Sequence, residues 1–122
     1  MKLYKSENCG NSPKNKFIEE FIIDLFEEQN IKDKISENIT IELIGMKIPT
    51  GLNQFSLKKI IDEEIMEIYI YDAISHGKKG AIDLKLKTVH ETIINIGIFL
   101  EFKTLKADKI SYLKIFIHNS QK

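Results

Sequence analysis

Two segments near the C-terminus, residues 92–102 and 110–118, constrain the chain more than any other feature. Both are rich in β-formers, and neither alternates cleanly between apolar and polar side chains. In the first, Ile94, Ile96, Ile98, Leu100 and Phe102 share one face, while Ile93 and Phe99 stand on the other. In the second, Leu113, Ile115 and Ile117 oppose Tyr112 and Phe116. A strand that is apolar on both sides needs cover on both sides. Lys103 to Lys109 between them suits a hairpin connection, so the pair predicts adjacent antiparallel strands in a sheet that is wetted fully on neither face.

The rest of the chain must supply that cover. Residues 1–11 read as a loose arm. Ser12-Pro13 then marks a helix start, with Ser at the N-cap and Pro at the first helical position, where its missing N–H costs nothing. Ile18, Phe21, Ile22, Leu25 and Phe26 follow at helical spacing, and Glu19, Glu20, Glu27 and Glu28 are assigned mostly to the wet side. Phe17 and Ile23 widen the apolar arc. The helix is expected to end near Asn30, with one more helical turn over residues 31–36. Residues 39–44 are β-rich and stop at Gly45, and Pro49-Thr50-Gly51 marks a turn. Residues 52–64 read as a second amphipathic helix anchored by Phe55, Ile60 and Ile61. Residues 67–75 and 81–88 read as a hairpin turned at residues 76–80, with Ile82, Leu84 and Leu86 opposite Asp83, Lys85 and Lys87. The two helices can cover only one face of such a sheet. In a chain of 122 residues the simplest cover for the other is a second copy.

Composition removes several classes of function. Lys+Arg and Asp+Glu are both 18, and the lysines are interspersed with acids, as in Lys58-Lys59 before Asp62-Glu63-Glu64. No basic stripe builds up, which argues against a nucleic-acid partner. The most apolar run, Ile93 to Leu100, is broken by Asn95 and Gly97 and is too short to span a bilayer, so no membrane partner is expected. Met1-Lys2-Leu3-Tyr4-Lys5 opens no secretory signal, and the cytoplasm is the expected address. Cys9 is a single thiol in a polar stretch, read as a chance tail cysteine; one cysteine makes neither an internal disulfide nor the usual zinc clusters. Nothing in the sequence brings His76, His90 and His118 together, so neither a metal nor a cofactor is expected. With no linker, repeat or low-complexity tract, residues 12–120 read as one α+β domain.

The order helix, short helix, strand, turn, helix and four long antiparallel strands resembles the nuclear transport factor 2-like superfamily. It is most similar to the SnoaL-like and ketosteroid isomerase-like branch. The resemblance is carried by residues 11–17 opening the first helix, residues 41–45 on the first strand, Gly51 with Phe55, residues 74–78 at the hairpin and Glu101-Phe102 on the long strand. It implies a cone-shaped, curved antiparallel sheet wrapped around the N-terminal helices, with a pocket at the open end and homodimers through the outer sheet face. The scaffold serves isomerases, cyclases, dehydratases and non-catalytic proteins alike.

Enzymes of that branch move a proton next to a carbonyl with a carboxylate or a His/Asp pair in the cone. Here the resemblance sets Ile98 at the inward acid position, Leu43 near the place of the isomerase base and Ile41 where close relatives carry tryptophan. The catalytic pattern is not met. Glu42 is the one acid on the first strand, and strict alternation sets it opposite Ile41 and Leu43. Its catalytic reading requires burial and a raised pKa; its other reading is a solvated or salt-bridged surface acid. His76 before Gly77 reads as a loop-structuring residue. The expected pocket wall is Phe17 and Phe21 from the first helix, Phe55, Ile96, Ile98, Leu100, Leu113 and Ile115. By the parity of Ile68 and Ile70, Tyr69, Tyr71, Phe99, Tyr112 and Phe116 point outward as a dimer surface. Three functions follow: a homodimer holding a small apolar ligand without a catalytic set, an isomerase- or cyclase-like enzyme using Glu42 or another inward acid, and an interaction module with a filled cone.

Overall fold

The computed structural model describes residues 2–5, 13–27, 32–44, 61, 63–106 and 109–120. In chain order the elements are β1 (Lys2–Lys5), α1 (Pro13–Glu27), a 3-10 turn (Lys32–Lys34), β2 (Ile35–Ile44), β3 (Ile65–His76), β4 (Lys79–Thr88), β5 (Ile93–Phe102) and β6 (Ile110–Ser120). All six strands form one sheet in the order β1-β3-β4-β5-β6-β2. The three central pairings are antiparallel, as their short connections require. Both edges are parallel, β1 on β3 and β2 on β6, because these partners are far apart along the chain.

Several expectations are met. Pro13 does open the helix, the short turn after it is present, and the four long strands lie where the pattern puts them. Lys2–Lys5, read from sequence as part of a loose arm, is instead a strand, with Tyr4 paired to Tyr69 in register and stacked on it at 4.8 Å. The strand expected over 39–44 begins earlier, at Ile35. Phe55, Cys9, the turn at 49–51 and most of the helix expected from residue 52 lie outside the described residues. The described end of that segment, Ile61, Glu63 and Glu64, is not helical and leads straight into β3.

The inner face of the sheet and α1 close on one another. Ile18, Phe21, Ile22, Leu25 and Phe26 are all buried in one apolar cluster with the inward rows of β3, β4, β5 and β6. Side chains of this size contribute about 1.5–3 kcal/mol each when taken fully out of water. Polar ties fix where the helix starts: the Lys14 ammonium donates to the Gly77 carbonyl at 2.8 Å, and the Ser75 hydroxyl donates to the Asn15 side-chain oxygen at 2.8 Å. The hairpin beneath turns on Gly77-Lys78, with Gly77 at φ 61°, the left-handed geometry such turns assign to glycine. Four register shifts interrupt the described ladders and help curve the sheet around the helix, two of them near its middle strands. One extra residue, Tyr71, sits between Ile70 and Asp72 on β3, and the register of β6 slips between Ile110 and Tyr112. The first also resets parity, so that Ala73 points inward and Ile74 outward at 64 % exposure.

Candidate functional site

The concave side is built from three inward rows. Ile82, Leu84 and Leu86 on β4 pair in register with Ile98, Ile96 and Ile94 on β5. Ile96, Ile98 and Leu100 in turn pair with Ile117, Ile115 and Leu113 on β6. Every one of these side chains is aliphatic and buried. Period-two alternation forces the result, because the intervening residues of β5, Asn95, Gly97, Phe99 and Glu101, must take the convex side. Ile98, where the resemblance sets an acid in catalytic relatives, is 1 % exposed between Ile82 and Ile115.

The expected wall residues Phe21, Ile96, Ile98, Leu100, Leu113 and Ile115 are thus brought together, as members of the common core. Phe17 differs: it is half-buried, lies edge-on to Phe102 at 5.8 Å and carries the Lys34 ammonium 5.9 Å from its ring centre. Phe17, Ile35, Ile39, Ile41 and Leu43 pack against the cluster without being sealed by it. The inner face is therefore most open along β2. At that rim Lys34 donates to Asp24 at 2.5 Å, with Glu20 4.0 Å away.

Two acids deserve separate placement. Glu42 is exposed on the convex side of β2, so the geometry its catalytic reading requires is not present. It hydrogen-bonds to Tyr112 of the neighbouring β6, and burial together with the Glu42 carboxylate and that bond holds the Tyr112 phenol above its ordinary range. Glu19, assigned from sequence to the wet side of the helix, is 5 % exposed and is the one buried acid among the described residues. It sits three residues before Ile22 and seven before Phe26, so it shares a flank with the apolar stripe. The widened arc from Phe17 to Ile23 was the signal for a helix clasped on more than one side; the sequence offers none that singles out Glu19.

The convex face is mixed. Register places Ile74, Ala81, Phe99 and Lys114 in one row across β3 to β6, and Asp72, Asp83, Gly97, Phe116 and Ile44 in the next, across β3 to β2. Phe99 is 55 % exposed and meets Phe116 edge-on at 5.9 Å. An open apolar groove of about 250 Å³ runs beside Phe99, floored by Ala81 and bordered by Ile74, with His76 and Lys79 at its hairpin end. The tyrosines stand apart from this patch. Tyr69 is covered by Tyr4 on one side and by the Lys85 ammonium 4.8 Å from its ring centre. Its hydroxyl donates to Glu67 at 2.8 Å, and that bond, with burial and the carboxylate's charge, raises its pKa. Tyr71 is exposed and has Lys85 at 5.9 Å. The outward aromatics therefore form two groups, Phe99 with Phe116 and Tyr69 with Tyr71, and Tyr112 belongs to neither.

Among the described residues no group of three or more His, Cys, Asp or Glu side chains could hold a metal, and no helix is long and apolar enough to cross a membrane. His76 and His118 are exposed on β3 and β6, and His90 is in the turn after β4.

A helix laid in a curled six-stranded sheet with an aliphatic inner wall defines a cone-shaped α+β fold. It is the nuclear transport factor 2-like fold. A designed protein of that fold, NT-9, is similar over 84 % of this chain and 82 % of its own, with 15 % identity and a TM-score of 0.60. SalBIII, an epoxide hydrolase/cyclase-like enzyme with a role in pyran ring formation in the polyether salinomycin, is similar over 86 % of this chain and 90 % of its own. That pair shares 17 % identity and a TM-score of 0.59. A protein from a de novo design series with diverse pocket structures covers 84 % of this chain and 96 % of its own, at 13 % identity and a TM-score of 0.58. No family model and no curated protein matches the sequence.

Proposed function

We propose that the chain is a homodimeric binding protein that takes a small apolar molecule on the concave side of its sheet and joins its partner through the convex side. One observation carries the reading: the strands sort their chemistry by face. Inward positions of β4, β5 and β6 from Ile82 to Leu86, Ile94 to Leu100 and Leu113 to Ile117 are aliphatic, whereas Glu42 and Glu101 stand opposite them. A wall of that kind recognises shape and apolar area and offers no proton acceptor. The half-open residues Phe17, Ile41 and Leu43 give the approach along β2. The designed and natural proteins of similar fold include pocket-bearing and cyclase-like ones, which supports a ligand on this side.

The test is titration of the native protein with an environment-sensitive apolar dye such as anilinonaphthalene sulfonate. Saturable binding with unit stoichiometry per chain, weakened at least fivefold by Leu43→Arg, is the expected result. A folded protein that binds no dye contradicts it.

A second reading has its own observation. Glu19 is a buried carboxylate on the helix that packs on the concave side, a group chemically able to accept a proton from a molecule bound there. An isomerase- or cyclase-like activity would then run through Glu19 rather than Glu42. Loss of any turnover in Glu19→Gln with unchanged dye binding supports this reading; equal behaviour of the two proteins removes it.

A further inference from the structure

We infer that the two copies of the proposed dimer interlock through Gly97, with the Phe99 ring of each entering the space over Gly97 of the other. The inference rests on the convex-face dimer and adds how that dimer is built. Its starting point is an anomaly in β5. Gly97 interrupts a central strand between Ile96 and Ile98, where glycine weakens a sheet because it adds no packing and is costly to order. Such glycines mark a bulge, a neighbouring aromatic ring laid over them, or a close approach by another molecule.

The first two explanations fail here. The register of β5 runs without a slip through Gly97, from Asp83 on β4 to Phe116 on β6. Phe116 is the aromatic that could cover Gly97, yet a Cβ built on Gly97 meets nothing within 4 Å. Phe116 instead turns its ring edge-on to Phe99. The convex face thus holds an opening at its centre and, two residues along the same strand, a 55 % exposed ring.

A two-fold assembly needs knob and hole on the same patch, since the same patch serves both copies. Phe99 and Gly97 satisfy that requirement. They lie about 7 Å apart along the strand, at roughly 3.3–3.4 Å per residue. A two-fold axis crossing the strands midway between their rows therefore sets each Phe99 over the partner's Gly97. The area also suffices. Strands of ten residues and five strand spacings give a convex face of about 33 by 24 Å, so contact over about three quarters of it on each copy covers about 1,200 Å² together, the lower bound for stable specific interfaces. Central aromatic anchors in desolvated pockets are where interface energy concentrates.

The decisive variant is Gly97→Leu. Its side chain enters open space within the chain, so folding is retained, and a strand former replaces glycine. The expected result is a rise in the unfolding midpoint, measured at a concentration where native and variant are both monomeric, together with a dimer dissociation constant raised at least tenfold. Phe99→Ala is expected to raise that constant at least tenfold as well. A native dimer that Gly97→Leu leaves within twofold of its original affinity overturns this inference alone. A native chain that is monomeric overturns the dimer reading beneath it.

Discussion

Gly80 of β4 has no room for a side chain, because Ile18 of α1 rests against it: a Cβ built there would stand 2.7 Å from Ile18 Cδ1 and 3.1 Å from Leu100 Cδ1. Ile18 is itself fully buried, so it has nowhere to move. Gly80→Ala should cost about 1–3 kcal/mol by overpacking. Urea unfolding of the variant checks this, and an unchanged midpoint would show that the helix sits further from the sheet.

Ile98 tests the inner wall. Ile98→Ala should destabilise by about 2–5 kcal/mol, because the surrounding β-sheet cannot collapse into the space. Ile98→Asp places a carboxylate between the aliphatic Ile82 and Ile115 and should cost more, with the deficit shrinking as the pH falls and the acid protonates. Stability of the Asp variant that does not depend on pH between 4 and 7, roughly the range over which a buried acid titrates, would contradict the burial of this row.

Thr88 joins the base of the sheet to the segment before β3. Its buried hydroxyl donates to Glu63 at 3.1 Å and accepts from the Thr92 N–H at 3.2 Å, and the Thr92 hydroxyl reaches the same Glu63 oxygen at 3.3 Å. Thr88→Val keeps the shape and removes both bonds. The expected loss is about 1–3 kcal/mol, with Glu63→Gln losing less, since an amide oxygen still accepts both hydroxyls. Equal losses from the two would place the importance of Glu63 in its charge.

Tyr112 reports on the convex face. Its folded pKa is raised by burial first and then by Glu42. A raised phenol pKa means the neutral form is favoured in the fold. The stabilisation is therefore fully present below the ordinary value of about 10 and is lost as pH rises through the folded value. Glu42→Gln removes the charge, so the Tyr112 part of the phenolate absorbance titration, isolated by difference against Tyr112→Phe, should move to lower pH. Superimposable titrations would contradict the Glu42–Tyr112 contact.

The sheet was readable because its signal is local and periodic. Inward rows such as Ile82-Leu84-Leu86 alternate at period two, and the Gly77-Lys78 turn carries its own chemistry. What was not readable depends on contacts distant in sequence. Tyr4 gives no sign in its neighbours that it will stack on Tyr69, and a four-residue parallel edge strand has no pattern long enough to detect. The outward position of Ile74 depends on the extra residue at Tyr71, a shift of parity that alternation alone cannot locate. Glu19 looks solvated on a helical projection and is nonetheless buried. The absence of an inward acid on β5 was legible, since Ile98 lies in an unbroken alternating row. The openness of Gly97 was not, because it depends on where the Phe116 ring turns.

Light scattering of the native protein at micromolar concentration tests the division of labour between the two faces most directly. The expected solution mass is twice that of the 14.2 kDa chain, falling to that of one chain when Phe99 is replaced by lysine while the dye still binds. A native mass of one chain, or a Phe99→Lys variant that remains dimeric, would contradict it.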